Sequence, residues 1–417
     1  MEVQNKSTTS FFIKDVCIAD VRSRKILRKD ILVKDRLFKG VVGKEQMSDE
    51  CRIIDGRGNL LITDTIDIHV HLRDPGHPYK ETLDSGLKAS AKGGLTKVVA
   101  MPNTSPVVDD IKIFESILNR AGNIRGAKLY QACSLTKDLE GKELNDLKYL
   151  QKNGINIFSD DGKAVIDSKL MMRALQMSKG KDVVFMLHSQ SDLIPPEDPD
   201  CEILGINRDI ILSEITNNQV HIQHVSTGKG LDIIIGAKKR GVKVSCEVCP
   251  HHLFLNSSNT DVRLGLNKVN PPIREKEDSG HLLASLINGE IEVLASDHAP
   301  HSIEEKSREY DKAPFGLSGV ETLIPVSYTE LVKKRGMDLF RYIGLISKNP
   351  LKIAKIDSNG LKVNTRPSFT LIDTEKEYIF KSEDLVSKGR NNLFIGYKAG
   401  CQINLTVVDG EIVWQNL

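Results

Sequence analysis

From about Lys92 to Ile356, short β-branched or apolar runs alternate with longer segments of helical period. That alternation is the mark of repeated β-α units around a parallel sheet. The candidate strands are IDIHVHL (66–72), KVVAMP (97–102), KLYQACS (128–134), NIFSDD (156–161), VVFMLHS (183–189), VHIQHVS (220–226), VKVSCEV (242–248) and EVLASDH (292–298). Between them lie amphipathic stretches such as ELNDLKYLQKNG (143–154) and LDIIIGAKKRG (231–241), each closed by a glycine suited to a helix C-terminus. Eight units within residues 61–356 match the size of a (β/α)8 TIM barrel. The chain ends differ: residues 11–43 and 369–414 carry short β runs with turn residues and few helical segments. The expected organisation is a barrel over 61–356, flanked by a small β-sandwich-like unit built from 1–60 and 357–417.

Composition narrows the setting. The 417 residues carry 58 Lys+Arg against 56 Asp+Glu, so there is no long-range field to gather nucleic acid or an anionic membrane. Seven scattered cysteines suit a reducing compartment better than a disulfide framework. Met1 to Ser10 is polar and no apolar run reaches membrane-spanning length. A soluble cytoplasmic protein with a small-molecule substrate is expected.

The candidate chemistry sits where the strands end. In DTIDIHVHLRDPG (64–76), strict alternation would put His69, His71 and Arg73 on one face and Ile68, Val70 and Leu72 on the other. An exposed edge strand would show the same pattern. Other strands end alike, however: Asp160 and Asp161 close the fourth, His188 the fifth, His224 the sixth, and Asp297 with His298 the eighth. Parallel barrel strands bring their C-terminal ends to one rim, so residues distant in sequence would meet there. Imidazoles and carboxylates suit Zn2+ or a similar divalent ion, and one carboxylate can bridge two. CEVCPHH (246–252) has the Cys-x-x-Cys spacing of a zinc ribbon but lacks a second ligand pair at the usual distance, so its cysteines are read as small buried hydrophobes of the seventh strand.

The motifs DIHVHLRDPG, AMPNTSPVVDD, FSDDG, HVST, CEVCPHH, KVNPPIR, SDHAPH and APFGLSGVET occur in an order that resembles the dihydroorotases, within the cyclic amidohydrolases, of the class using Asp in place of a carboxylated Lys. The resemblance spans nearly the whole chain. It implies reversible interconversion of dihydroorotate and N-carbamoyl-L-aspartate in pyrimidine synthesis, with two Zn2+ per subunit, or one. It implies His69, His71, Asp161, His188, His224 and Asp297 as metal ligands, Asp161 bridging and Asp297 also shuttling the proton. Arg73, Asn103, Asn270, His301 and the backbone of Phe315 and Gly316 fall on substrate contacts. A homodimer and association with aspartate transcarbamoylase are expectations of the same kind. Two departures stand out: Asn156 occupies the position of the carboxylated Lys, and HSQSD follows at His188 in place of His-Cys-Glu. Competing readings are a hydantoinase or allantoinase, which would lack the carboxylate clamp, and a silent barrel acting as a scaffold, which would be expected to lose ligands.

Overall fold

The computed structural model describes residues 9–41 and 51–416; the polar stretch Met1–Thr8 read for a leader, and Val42 and Gly43 of the N-terminal β run, lie outside them. The chain opens with β1 (Phe11–Asp20), β2 (Lys25–Lys34), β3 (Leu37–Val41), β4 (Arg52–Asp55) and β5 (Leu60–Thr63). Eight short strands follow: β6 (Ile66–Val70), β7 (Lys97–Ala100), β8 (Lys128–Gln131), β9 (Ile157–Phe158), β10 (Val184–Leu187), β11 (Val220–Ile222), β12 (Val244–Val248) and β13 (Val293–Leu294). Each falls inside one of the eight runs read from the sequence. After the last barrel helices come β14 (Phe369–Asp373), β15 (Tyr378–Ile379), β16 (Lys398–Ala399), β17 (Gln402–Val408) and β18 (Glu411–Gln415).

Strands β6-β7-β8 and β9 to β13 form two parallel sheets. Parallel bridges join them at both seams, Cys133 to Phe158 and Val70 to His298, so the eight strands close into a barrel. Its interior is apolar: Ile66, Ile68, Val99, Met101, Ala132, Ile157, Val184, Met186, Val293 and Ala295 cluster with Leu351, Ile353 and Ala354 of the helix Asn349–Ala354. The opposite strand faces, including Val98, Phe185 and Leu294, join the larger core beneath the outer helices. The two helices anticipated above lie at Leu147–Lys152 and Gly228–Lys239, and Gly154 (φ +88°) and Gly241 (φ +86°) follow in the left-handed region that a Cβ disfavours.

Both chain ends build one sheet, in the order β18-β17-β14-β5-β1-β2-β3 with β4 on β1. Strand β5 belongs to this sheet and pairs with β14. The sheet therefore reaches Thr63 and the first barrel strand starts at Ile66, later than a barrel beginning at residue 61 would have it. The period of two in β5 explains its position: Leu61 packs with the terminal sheet's core, while Leu60 and Ile62 pack with the barrel's. The segment between β15 and β16 leaves the terminal sheet and packs Phe380 and Phe394 against Val326 of the barrel.

Candidate metal centre and substrate pocket

The first barrel strand departs from strict alternation. A register shift between Asp67 and Val70 marks a bulge in β6, and bulges re-aim side chains beside functional sites. As a result the aliphatic trio is split: Ile68 joins the barrel interior, whereas Val70 and Leu72 join the outer core. Asp67 secures the bulge by accepting from the backbone N–H of His69 (3.1 Å) and of Ser296 (3.2 Å). The strand ends at Val70, so His71 and Arg73 extend from the segment beyond it. Arg73 (φ +56°), His224 (φ +32°) and Asp297 (φ +47°) adopt the left-handed backbone that is uncommon for non-glycine residues.

The six expected ligands converge. Asp161 Oδ2 lies 3.3 Å from His69 Nε2 and 3.1 Å from His71 Nε2. Its other oxygen, Oδ1, lies 3.3 Å from His188 Nδ1 and 3.4 Å from His224 Nε2. Asp297 Oδ1 joins the first pair, 3.2 Å from His71 Nε2 and 3.6 Å from His69 Nε2. One carboxylate thus faces two histidine pairs with separate oxygens, and a second sits on one side. This nitrogen and oxygen donor set is suited to divalent ions of the zinc type. His69, His71 and Asp297, and His69, Asp161 and His224, each bring ligand atoms within 4.8 Å of one another.

Ring orientation comes from residues that spacing did not reveal. His69 Nδ1–H donates to Glu247 in β12, and Glu247 also accepts from His221 Nε2 (3.0 Å). His71 Nδ1–H donates to Asn103 Oδ1 (2.8 Å), and His188 Nε2–H donates to Gln190 Oε1 (2.9 Å). Each bond fixes a tautomer with the opposite nitrogen bare toward Asp161, the outer-shell arrangement that raises a ligand's basicity. Burial pushes Glu247 up, but His69 and His221 outweigh it and hold its carboxyl at about 2. Burial likewise opposes charge on His69, yet Asp161, Glu247 and Asp297 raise its pKa well above the ordinary histidine value. A lone glutamate in the otherwise apolar VSCEV was the available sign of Glu247. Gln190 was visible only as the departure in HSQSD. Asp160 turns away from the centre: its Oδ1 accepts from the backbone N–H of Leu135 (2.7 Å) and Thr136 (3.1 Å).

Above the centre opens a cavity of about 330 Å3. Arg73, Asn103, Asn270, His301, Phe315 and Gly316 line it together with His71, Asp161, His188, His224 and Asp297. His69 is the expected residue outside that lining, fully buried below it. Asn103 is shared between His71 and the cavity. Arg73 Nε donates to the Pro300 carbonyl (3.2 Å) and its Nη2 lies 3.2 Å from His301 Nε2. Lys80 Nζ donates to His301 Nδ1 (3.2 Å), so the Nε2 proton goes to the Phe315 carbonyl (2.9 Å). Burial, Arg73 and Lys80 pull His301 down to about 3, which keeps it neutral.

The Phe315 loop is tied from behind. Lys306, with no exposed surface, donates to the carbonyls of Lys268 (2.8 Å) and Pro314 (3.0 Å). Gly316 N–H donates to the same Lys268 carbonyl (3.0 Å), and Asn391 Nδ2 donates to the Gly316 carbonyl (2.9 Å). Gly316 has φ +133°, and a Cβ there would meet the Ala299 carbonyl at 2.4 Å, so only glycine fits.

Comparison with known proteins agrees with this geometry. Residues 58–199 match the family described as dihydro-orotase-like. A dihydroorotase of Endomicrobium trichonymphae is 37% identical, covering 97% of this chain and 99% of that protein. The chain belongs to the dihydroorotase family. A dihydroorotase of Staphylococcus aureus strain Mu50 is 34% identical over 95% of this chain and 97% of its own length. Among solved structures, an L-hydantoinase (dihydropyrimidinase) from Arthrobacter aurescens superposes with a TM-score of 0.86 at 22% identity, covering 98% of this chain and 96% of that one. That likeness shows the shared barrel-and-sheet fold. As a dihydroorotase family member the chain is a hydrolase of cyclic amides.

Proposed function

We propose that this chain interconverts dihydroorotate and N-carbamoyl-L-aspartate, using Zn2+ held by His69, His71, Asp161, His188, His224 and Asp297, two ions per subunit. The observation that carries this reading is the Arg73 guanidinium in the same cavity as the Asp161-centred histidine pairs. An anionic ring substrate needs such a group; an uncharged hydantoin or dihydrouracil does not.

When bound, zinc supplies a readily ionised water and polarises the amide carbonyl. The protein does the rest. Arg73 holds the ring carboxylate through paired N–H donors, and Asn103, Asn270 and the Phe315–Gly316 backbone orient the ring so that its carbonyl lies over Asp161. Burial pushes Asp297 upward, but His69 and His71 hold its carboxyl far below the usual range, so it is ionised. Asp297 takes the attacking water's proton and passes it to the ring nitrogen as the C–N bond breaks. In the reverse direction the same carboxyl returns the proton. The reaction belongs in pyrimidine synthesis, and seven cysteines scattered along the chain suit a reducing cytoplasm. No helix among the described residues is long and apolar enough to cross a membrane.

The test is an initial-rate comparison of dihydroorotate with dihydrouracil and hydantoin on metal-replete protein. Strong preference for dihydroorotate is expected; equal turnover of the uncharged rings would overturn the carboxylate clamp and favour a hydantoinase.

A further inference from the structure

The segment CPHH at the end of β12 was read as buried packing. The structure shows more. Cys249 caps the N-terminus of the short helix Pro250–Phe254, and His252 in its first turn donates its backbone N–H back to the Cys249 carbonyl (3.0 Å). That turn stacks the side chains of residues 249, 251 and 252 together: Cys249, His251 and His252 each offer a ligand atom, and all three lie within 4.8 Å of one another. The two imidazole centroids are 4.2 Å apart. Exposure is 0%, 1% and 2%, respectively.

Three of the four imidazole nitrogens of this trio lack partners. His252 Nε2–H donates to the Pro271 carbonyl (2.9 Å), which leaves Nδ1 as a buried lone pair with no donor to meet it. Neither ring nitrogen of His251 has a hydrogen-bond partner. Burial holds both rings neutral, His252 at about 4. Orphaned polar atoms in a sealed interior are costly, so a native structure normally supplies a partner. A neutral imidazole with its far N–H fixed on a carbonyl is the form in which histidine binds metal, and a thiol beside it completes a soft donor set.

We propose that Cys249, His251 and His252 hold a third zinc ion, distinct from the pair on His69, His71, Asp161, His188, His224 and Asp297. None of its ligands is shared with that pair. Three protein ligands leave one coordination position for a water. In the absence of the cation, burial and the carboxylates of Asp297 and Glu247 keep the Cys249 thiol protonated; binding displaces that proton as zinc takes the thiolate. The ion pins the end of β12 against the Pro271 segment.

Cobalt makes the test independent of turnover, because the catalytic centre contains no sulfur ligand. The full chain is stripped with chelator, reloaded with Co2+, and its near-ultraviolet spectrum recorded with elemental analysis of the zinc form. The expected result is a thiolate-to-cobalt charge-transfer band in the wild type, lost in Cys249→Ala and retained in Cys246→Ala. Cys249→Ala should also carry one zinc fewer per chain. A wild-type spectrum without the thiolate band overturns the proposal whatever the variants do. So does equal zinc content in wild type and Cys249→Ala, which would leave buried water as the partner of the orphaned nitrogens.

Discussion

The floor and the wall of the cavity are built on different principles. The floor is the centre around Asp161, its ligands set at or just past strand ends and held by the barrel; none of the six is more than 6% exposed. The wall is Arg73, Asn103, Asn270, His301, Phe315 and Gly316, carried on connecting segments, with Phe315 37% exposed. The floor's geometry follows from barrel closure, whereas the wall's depends on individual tethers from buried side chains, Lys306 and Asn391 above all. A fault in the floor should remove chemistry outright, and a fault in the wall should alter how well substrate is held.

The sharpest break is Asp161→Ala. Removing the carboxylate that faces both histidine pairs leaves two cations with no charge between them, so metal should be lost and activity should fall by at least about a thousandfold. Asp160→Asn is the neighbour control, because Asp160 bonds backbone amides outside the centre; it should retain substantially more metal. The opposite ranking by elemental analysis would put the wrong aspartate at the centre of the floor.

Arg73→Met tests the wall while sparing the floor. Losing a charge-assisted bidentate contact should cost about 3 kcal/mol in transition-state binding, roughly a hundredfold in kcat/KM, with metal content unchanged. A variant with near-wild-type kcat/KM for dihydroorotate would remove Arg73 from the clamp.

Acidity should act on the floor first. Burial lowers His71 and His188, but Asp161 outweighs it and raises both, as it raises His69. In the metal-free fold these rings therefore hold protons to higher pH than an ordinary histidine, and protons compete with metal there. Metal affinity should weaken as pH falls from above about 6.5, by about tenfold per unit for each ring that must release a proton. Metal retention after dialysis against a competing chelator at graded pH measures this; a midpoint well below 6.5 would contradict the assigned charges.

The smallest effect belongs to the tethers. Lys306→Met should raise KM several-fold, with metal content unchanged and kcat nearly so, because two loop carbonyls lose their donor. The same variant carries a signature in stability. Burial, with a contribution from Lys268, lowers the Lys306 amine to about 7 in the fold, against an ordinary value near 10.5. A depressed base costs the fold increasingly as pH drops from the unfolded pKa to the folded one. Wild type should therefore gain stability relative to Lys306→Met as pH rises from about 7 toward 10. Chemical denaturation at graded pH reads that difference directly, and a pH-independent gap would remove the buried-amine account.

What could be read from the chain follows the same division. All eight barrel strands and the terminal sheet were legible because period-two and helical patterns are local properties; that strand-end residues would meet was legible because parallel strands give strand ends a common address, but only the resemblance to the dihydroorotases singled out Asp161 and Asp297 from their neighbours Asp160 and His298. The β6 bulge was not, since one extra residue in a strand leaves no composition signal; strict alternation therefore grouped Ile68 with Val70 and Leu72, which pack in a different core. Glu247 and Gln190 act on ligands through contacts set by neighbouring strands, and Lys306 and Asn391 act through carbonyls whose positions depend on loop paths. In the CPHH turn the buried cysteines were legible, but the orphaned imidazole nitrogens were not, because they become visible only once burial and distances are known.

The barrel's closing seam has a consequence in time. His71 donates its backbone N–H to the His298 carbonyl (2.7 Å), and Asp67 holds Ser296, 229 positions away. A ribosome adding 5–20 residues per second needs on the order of ten to fifty seconds to bridge that gap. Throughout that interval the nascent chain carries His69 and His71 without Asp297, and the loop-closure entropy of the barrel's closing seam is still unpaid. The centre is therefore assembled late and all at once, so a chain stalled before residue 297 would display histidines without forming the floor they belong to.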